Sequence, residues 1–169
     1  MGKAKVSIIM PCYNGEETIE RAIRGVINQT YRPIEFILVN DGSTDSTERI
    51  ILSLSQEIQN AQIDFLYIPQ PNLGLGGAIN TGLKHVSGEY LAWIDADDEL
   101  CADSLTVRVT FLDDHPEFGS VSSNAVFVED NEIAYVYGED KNNFVSFMQK
   151  LIIEKFEQNE TIVFEADDC

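Results

Sequence analysis

Two carboxylates one residue apart, Asp95 and Asp97, with a third at Asp98, follow the apolar run Tyr90, Leu91, Ala92, Trp93, Ile94. In extended backbone, side chains two apart point the same way, so the pair can face one point. Converging carboxylates repel and raise each other's pKa unless a cation lies between them. Hard oxygen donors suit Mg²⁺ or Mn²⁺, with diphosphate oxygens and water completing the shell. A solvated acidic loop capping the next helix is the plainer reading of such residues. Their place at the end of a buried strand favours the metal.

Other polar groups also follow apolar runs: Pro11, Tyr13 and Asn14, then Asn40, Asp41 and Ser43, then Asn72 and Gly74. Tyr13 offers an aromatic face on which a base can stack, worth roughly 1–3 kcal/mol per base, or it packs its own loop. Asp41 can accept a hydrogen bond from the ring N–H of uracil or thymine, or cap the turn that Gly42, Ser43 and Thr44 announce. The glycines at 74, 76 and 77 lack the GxGxxG spacing and follow the third strand, so a dinucleotide fingerprint is rejected. They allow either close backbone approach to a sugar or phosphate, or a tight turn.

Strand and helix signals alternate around these groups. Apolar runs at 6–10, 34–39, 63–68 and 90–94 read as buried strands, with Pro69 and Pro71 stopping the third. Between them, Ile19, Ala22, Ile23, Val26 and Ile27 fall on one helical face, and so do Ile50, Ile51, Leu54 and Ile58. Asn14 and Glu17, Asp45 and Glu48, and Asp103 are the expected caps. Ala78, Ile79, Leu83 and Val86 mark a third helix, and residues 121–128 a further strand. The alternation predicts an α/β fold, a mainly parallel sheet with helices on both faces. Ligands of such sheets bind at the carboxyl ends of the strands.

The chain has 169 residues and a net charge of −18. That field excludes nucleic acid as a partner and makes a phosphate-bearing ligand depend on a cation. Cys12, Cys101 and Cys169 form no CxxC pair, which reads as isolated thiols in a reducing compartment. No apolar run reaches the roughly 20 residues of a membrane span, so a cytoplasmic protein is expected. Residues 1–128 read as a ligand-binding core. Residues 129–169 hold eleven acidic residues against three lysines, with one helix expected within 144–156. That acidic segment reads as part of the same domain or the start of a truncated acceptor region.

The ordered motifs resemble the inverting GT-A glycosyltransferases of family 2. They are Pro11-Cys-Tyr13-Asn14, Asn28-Gln-Thr-Tyr31, Asn40-Asp41-Gly-Ser43, Asn72-Leu-Gly74, Ala78-Ile-Asn80 and Asp95-Ala-Asp97-Asp98. The resemblance implies a GT-A fold and a nucleoside-diphosphate sugar donor, most often a uridine one. It implies a saccharide or lipid-linked acceptor, and a position peripheral to the inner membrane face is compatible with it. By the same resemblance Pro11 and Tyr13 line the base pocket and Asp41 contacts uracil. Asp95 lies against ribose or diphosphate, and Asp97 binds Mn²⁺ or Mg²⁺. Asn40 departs from the family's usual Asp. The general base is unassigned: Glu165, Asp167 and Asp168 are acidic, but their setting does not reproduce the family's later motif. A truncated or non-catalytic nucleotide-sugar-binding module is the alternative. A haloacid-dehalogenase-like phosphatase fits less well, since Glu99 stands where Thr or Val is expected and the motif comes late.

Overall fold

Strand β1, Val6–Cys12, is buried along its whole length, and β2, Ile34–Asp41, at all but one position. Such continuous burial requires a sheet covered on both faces. The computed structural model describes residues 3–122 and the backbone of two further strands at 125–129 and 132–137. Strands β3, Ile63–Gln70, and β4, Tyr90–Trp93, complete a parallel sheet of order β3-β2-β1-β4. Ile9 is in register with Ile37 on one side and Trp93 on the other.

Each crossover carries a helix: α1, Ile19–Ile27, α2, Thr47–Asn60, and α3, Gly74–Leu83, with α4, Ser104–Asp114, following β4. Alternation along the strands divides the core. Ile8, Met10, Phe36 and Leu38 cluster with Ile23 of α1, Ile51 of α2 and Leu105 of α4. Ile9, Ile37 and Val39 cluster instead with Ala78 of α3, so helices cover both faces as expected. Helix α3 lies close to β1, because a Cβ on Gly82 would sit 2.8 Å from Ile9 Cγ2.

At the amino ends of the strands, Glu35 accepts bonds from Ser7 Oγ (2.5 Å), Ser87 Oγ (2.6 Å) and the Ser87 N–H (2.9 Å). Burial alone would raise the pKa of Glu35. The bonds from Ser7 and Ser87, helped by Lys5, outweigh that and hold it below the usual carboxylate value.

Several local expectations are corrected. Pro69 does not stop β3, which runs through it to Gln70; an edge strand has a side where the missing N–H is tolerated. Asn40 and Asp41 end β2 rather than follow it. The glycine-rich segment from Gly74 is the first turn of α3, not a loop before it. Asn14 is no helix cap: α1 begins at Ile19, and Asn14 takes a left-handed conformation with φ 48°. Asp45 does bond the Thr47 N–H at the start of α2, but Glu48 accepts from the Tyr67 hydroxyl rather than closing a capping box.

The chain divides into two units, Met1–Asp114 and His115–Cys169. In the second, β5, Ala125–Glu129, pairs antiparallel with β6, Glu132–Tyr137. The strand expected at 121–128 therefore starts later and belongs to this pair. The helix expected within 144–156, and Glu165, Asp167 and Asp168, lie outside the described residues. Among the described residues no helix is long and apolar enough to cross a membrane.

Candidate functional site

The carboxyl ends of β1 and β2 open onto a cavity of about 270 Å³ lined by Pro11, Cys12, Tyr13, Asp41, Asn72, Gly74, Leu75 and Ala78. The strand order reverses between β1 and β4, so the cavity lies next to the switch point, at the carboxyl ends where open α/β sheets bind ligands. Of the residues singled out from the sequence, Pro11, Tyr13, Asp41 and Gly74 line the cavity. Asp95 and Asp97 are not in that lining and lie in the segment after β4.

The loops after β1 and β2 hold each other. The Asn14 N–H donates to Ser43 Oγ (3.0 Å), while Asn14 Oδ1 accepts from the Thr44 N–H (2.8 Å). The Glu16 N–H donates to Asp45 Oδ2 (3.1 Å), and Glu16 Oε2 accepts from the Ser46 N–H (2.9 Å). These reciprocal bonds fix the two loops next to the cavity, and Tyr13 in its lining is 54% exposed. A ring so placed offers an open face.

Asp41 is only 3% exposed. Gln70 Nε2 (2.6 Å) and the Leu73 N–H (2.9 Å) both donate to its Oδ1. Oδ2 takes no bond from the described residues and is not among the atoms shut off from solvent, so an accessible acceptor is left for a ligand donor. The capping of the next turn or helix read from the sequence is not made by Asp41: Asn40 accepts from the Ser43 N–H, and Asp41 accepts instead at the start of α3. Beside it, burial first, then the charges of Asp45 and Asp41, push the Cys12 thiol up to about 12. Cys12 is a neutral, unreactive wall at ordinary pH.

The glycines of the first α3 turn have separate duties. Gly74 has φ +74°, which favours glycine at the sharp entry to the helix. A Cβ on Gly76 would meet nothing within 4 Å, whereas one on Gly77 would lie 2.5 Å from Leu73 Cβ.

After β4 the backbone is not extended: the Asp98 N–H donates to the Asp95 carbonyl (3.1 Å), closing a turn. The geometric premise for Asp95 and Asp97 facing one point through extended backbone therefore fails, and the turn brings Asp98 into play. Withdrawal from water, then the charges of Asp98 and Asp97, raise the pKa of Asp95. Asp98 is raised by the same withdrawal and by Asp97, with Arg21 opposing. Mutually repelling hard oxygens fit a divalent cation. Among the described residues no group of three or more His, Cys, Asp or Glu is gathered to hold a metal unaided. Diphosphate oxygens and water would supply the remaining ligands.

Sequence reading gave no bonding role to three polar side chains. Gln70 reaches Asp41 because β3 lies beside β2 in register, with Asp41 paired to Gln70. Asn40 donates its amide to the Tyr67 hydroxyl (2.9 Å) and accepts from the Ser43 N–H (3.1 Å). An aspartate could only accept there, so the departure at this position has a use. Gln29 bonds across to the segment after the acidic turn. The only signal for Gln29 was its place within the motif from Asn28 to Tyr31.

A parallel sheet of this order, with a cavity at the ends of β1 and β2 and an acidic turn after β4, is the GT-A glycosyltransferase architecture. The crystal structure of S. aureus TarS 1-349 in complex with UDP-GlcNAc matches with a TM-score of 0.60 and 28% identity, over 66% of this chain and 32% of that one. Mannosyltransferase PcManGT from Pyrobaculum calidifontis, in complex with GDP-Man and Mn²⁺, matches with a TM-score of 0.54 and 26% identity, over 63% of this chain and 31% of that one. The sequence pattern of glycosyl transferase family 2 matches residues 7–169, and the chain belongs to that family. Glycosyltransferase GlyA of Streptococcus pneumoniae serotype 4 (strain ATCC BAA-334 / TIGR4) is 42% identical over 94 residues, which are 56% of this chain and 13% of GlyA. The chain thus spans only a minor part of these relatives.

Proposed function

We propose that this chain forms the donor site of a metal-assisted, inverting glycosyltransferase that moves a sugar from a nucleoside diphosphate, UDP favoured, to a hydroxyl acceptor. The reading is carried by Asp41, buried in the cavity wall with both internal donors on one oxygen and the other oxygen open. A carboxylate so fixed suits the imide N–H of uracil and offers nothing to the unprotonated ring nitrogen of adenine. Tyr13 stacks on the base at the cavity mouth, with Pro11 beneath and Gly74 admitting the ribose or phosphate side. The UDP-GlcNAc bound to TarS supports a uridine donor.

Asp97, with Asp95, holds the cation, and Asp95 also lies against the ribose or diphosphate. The Mn²⁺ in the PcManGT complex supports this reading. A bound Mn²⁺ or Mg²⁺ supplies positive charge for the departing diphosphate. The chain's own part is to hold the base in the cavity and turn the diphosphate towards the acidic turn. Transfer to a saccharide or lipid-linked hydroxyl needs a general base, which the described residues do not assign. This reading places the reaction in the cytoplasm, at the inner membrane face where the acceptor is lipid-linked.

Calorimetric titration of UDP with and without Mn²⁺, with ADP as control, tests the reading. UDP binding that needs Mn²⁺ and exceeds ADP at least tenfold is expected. Absence of UDP binding under both conditions would overturn it. Binding without turnover on any acceptor would make the chain a binding module rather than an enzyme.

A further inference from the structure

The acidic turn is exposed and short, so its position must be set by what holds its two ends. Its front end is the buried Ile94, whose N–H donates to the Ile9 carbonyl (3.1 Å). The segment that follows its rear end is held by Gln29, a side chain only 4% exposed. Gln29 Nε2 donates to the Gly25 carbonyl of α1 (3.0 Å) and to the Cys101 carbonyl (2.8 Å). Gln29 Oε1 accepts the Leu105 N–H in the first turn of α4 (3.1 Å). Helix ends leave carbonyls at one terminus and N–H groups at the other without intrahelical partners. One amide thus satisfies an acceptor of α1 and a donor of α4, and adds a bond to the segment between Asp98 and α4. The cap expected from Asp103 is made to Leu105 by a residue 76 positions away.

Neighbouring contacts act on the same segment. The Thr30 N–H donates to the Ala102 carbonyl (2.8 Å), and Arg21 Nη2 donates to the Asp97 carbonyl (2.8 Å). Gly25 lets the segment lie on α1, since a Cβ there would be 3.0 Å from the Leu100 nitrogen and 3.2 Å from Glu99 Cγ. Arg21 is exposed, touching the Asp97 carbonyl and pairing with Glu99 at 3.9 Å, whereas Gln29 is buried and joins three backbone segments. A buried amide bonded on both its ends has no cheap alternative arrangement.

We propose that Gln29 is the positioning residue of the acidic turn. It fixes where Asp95 and Asp97 stand relative to the base cavity, and so sets the cation-dependent part of nucleotide binding without touching the ligand. This rests on the donor-site reading above.

The test compares the full chain with its Gln29→Met variant, which keeps length and apolar volume and removes all three bonds. Uridine, which lacks the diphosphate, is titrated without metal, and UDP with and without Mn²⁺. Amide hydrogen exchange is followed in the nucleotide-free proteins. The expected result has uridine affinity within twofold of the parent and the Mn²⁺-dependent gain for UDP reduced at least tenfold. Amides of residues 97–105 should exchange at least tenfold faster while those of β1 and β2 hold. An undiminished Mn²⁺ gain would overturn the proposal, as would an equal loss for uridine and UDP or faster exchange throughout the sheet. Should Gln29→Met not fold, Gly25→Ala, which presses on the same segment from below, must give the same split, and an unchanged Mn²⁺ gain there overturns the proposal equally. A parent chain with no Mn²⁺ gain counts against the donor site itself. Exchange at 97–105 then decides for or against Gln29 alone.

Discussion

Gln70 Nε2 lies 2.6 Å from Asp41 Oδ1, and the Leu73 N–H bonds the same atom, so Oδ2 is the oxygen left without a bond from the described residues. The two residues are Cα partners across β2 and β3, so the sheet register itself aims the acceptor.

Asp41→Asn tests that arrangement. The amide oxygen can keep the bonds to Gln70 and Leu73, but the open atom becomes a donor facing the uracil N–H. A buried polar mismatch costs roughly 1–3 kcal/mol, which corresponds to about fivefold to 150-fold in affinity. UDP is expected to weaken by that amount and ADP by less than threefold, read by calorimetry. Equal losses for both nucleotides would reduce Asp41 to a structural brace.

Asp97→Asn tests the cation assignment with little risk to the fold. The bond from Arg21 goes to the Asp97 carbonyl, which the substitution leaves in place. The Mn²⁺-dependent gain in UDP affinity should disappear while the melting temperature without metal stays equal or rises, because one repelling charge is gone. A variant that keeps the gain shows the cation lies elsewhere.

Glu35 gives a pH dependence whose sign can be worked out. Its folded pKa is lowered, so its contribution to stability is present above the unfolded value of about 4.3 and is lost as pH falls through the folded value. Glu35→Gln should therefore cost about 1–2 kcal/mol near pH 7, since bonds to a charged acceptor become bonds to a neutral one. The difference between the two melting curves should shrink steadily below about pH 4. A constant difference from pH 7 to pH 3 would show that the carboxylate charge contributes nothing.

Two glycines of α3 should respond in opposite directions to alanine. At Gly76 a Cβ meets nothing within 4 Å, so Gly76→Ala should stabilise by about 0.5–1 kcal/mol through helix propensity. At Gly82 the Cβ would sit 2.8 Å from Ile9 Cγ2 and 3.2 Å from Cδ1, so Gly82→Ala should destabilise by roughly 1–3 kcal/mol. Urea denaturation of both variants decides, and a Gly82→Ala protein as stable as the parent would show that α3 slides freely on β1.

What the sequence disclosed, it disclosed through period. Continuous apolar strands and one-faced helices gave the parallel sheet, and polar residues at strand ends marked the crevice before any coordinates. Pro11, Tyr13, Asp41 and Gly74, which line the cavity, stand out in the sequence because each falls near the carboxyl end of an apolar run. Hidden from that reading were bonds between segments far apart in sequence. Gln70 and Asp41 meet only through strand register, and Gln29 caps a helix that begins 75 positions later. The turn at Asp95 to Asp98 was hidden for a local reason: an apolar run says where a strand is, not at which residue its backbone ceases to be extended. Pro69 misled because strand order, which made β3 an edge, is not local information.

The reciprocal bonds between the loops after β1 and β2 bear on how this scaffold can be rebuilt. Glu16 and Asp45 each close the other's loop, and Asn14 and Thr44 do so again. Neither loop is a self-contained cassette. Grafting one of them from a related chain would bring in donors whose acceptors stayed behind, so these loops can be exchanged only as a matched pair.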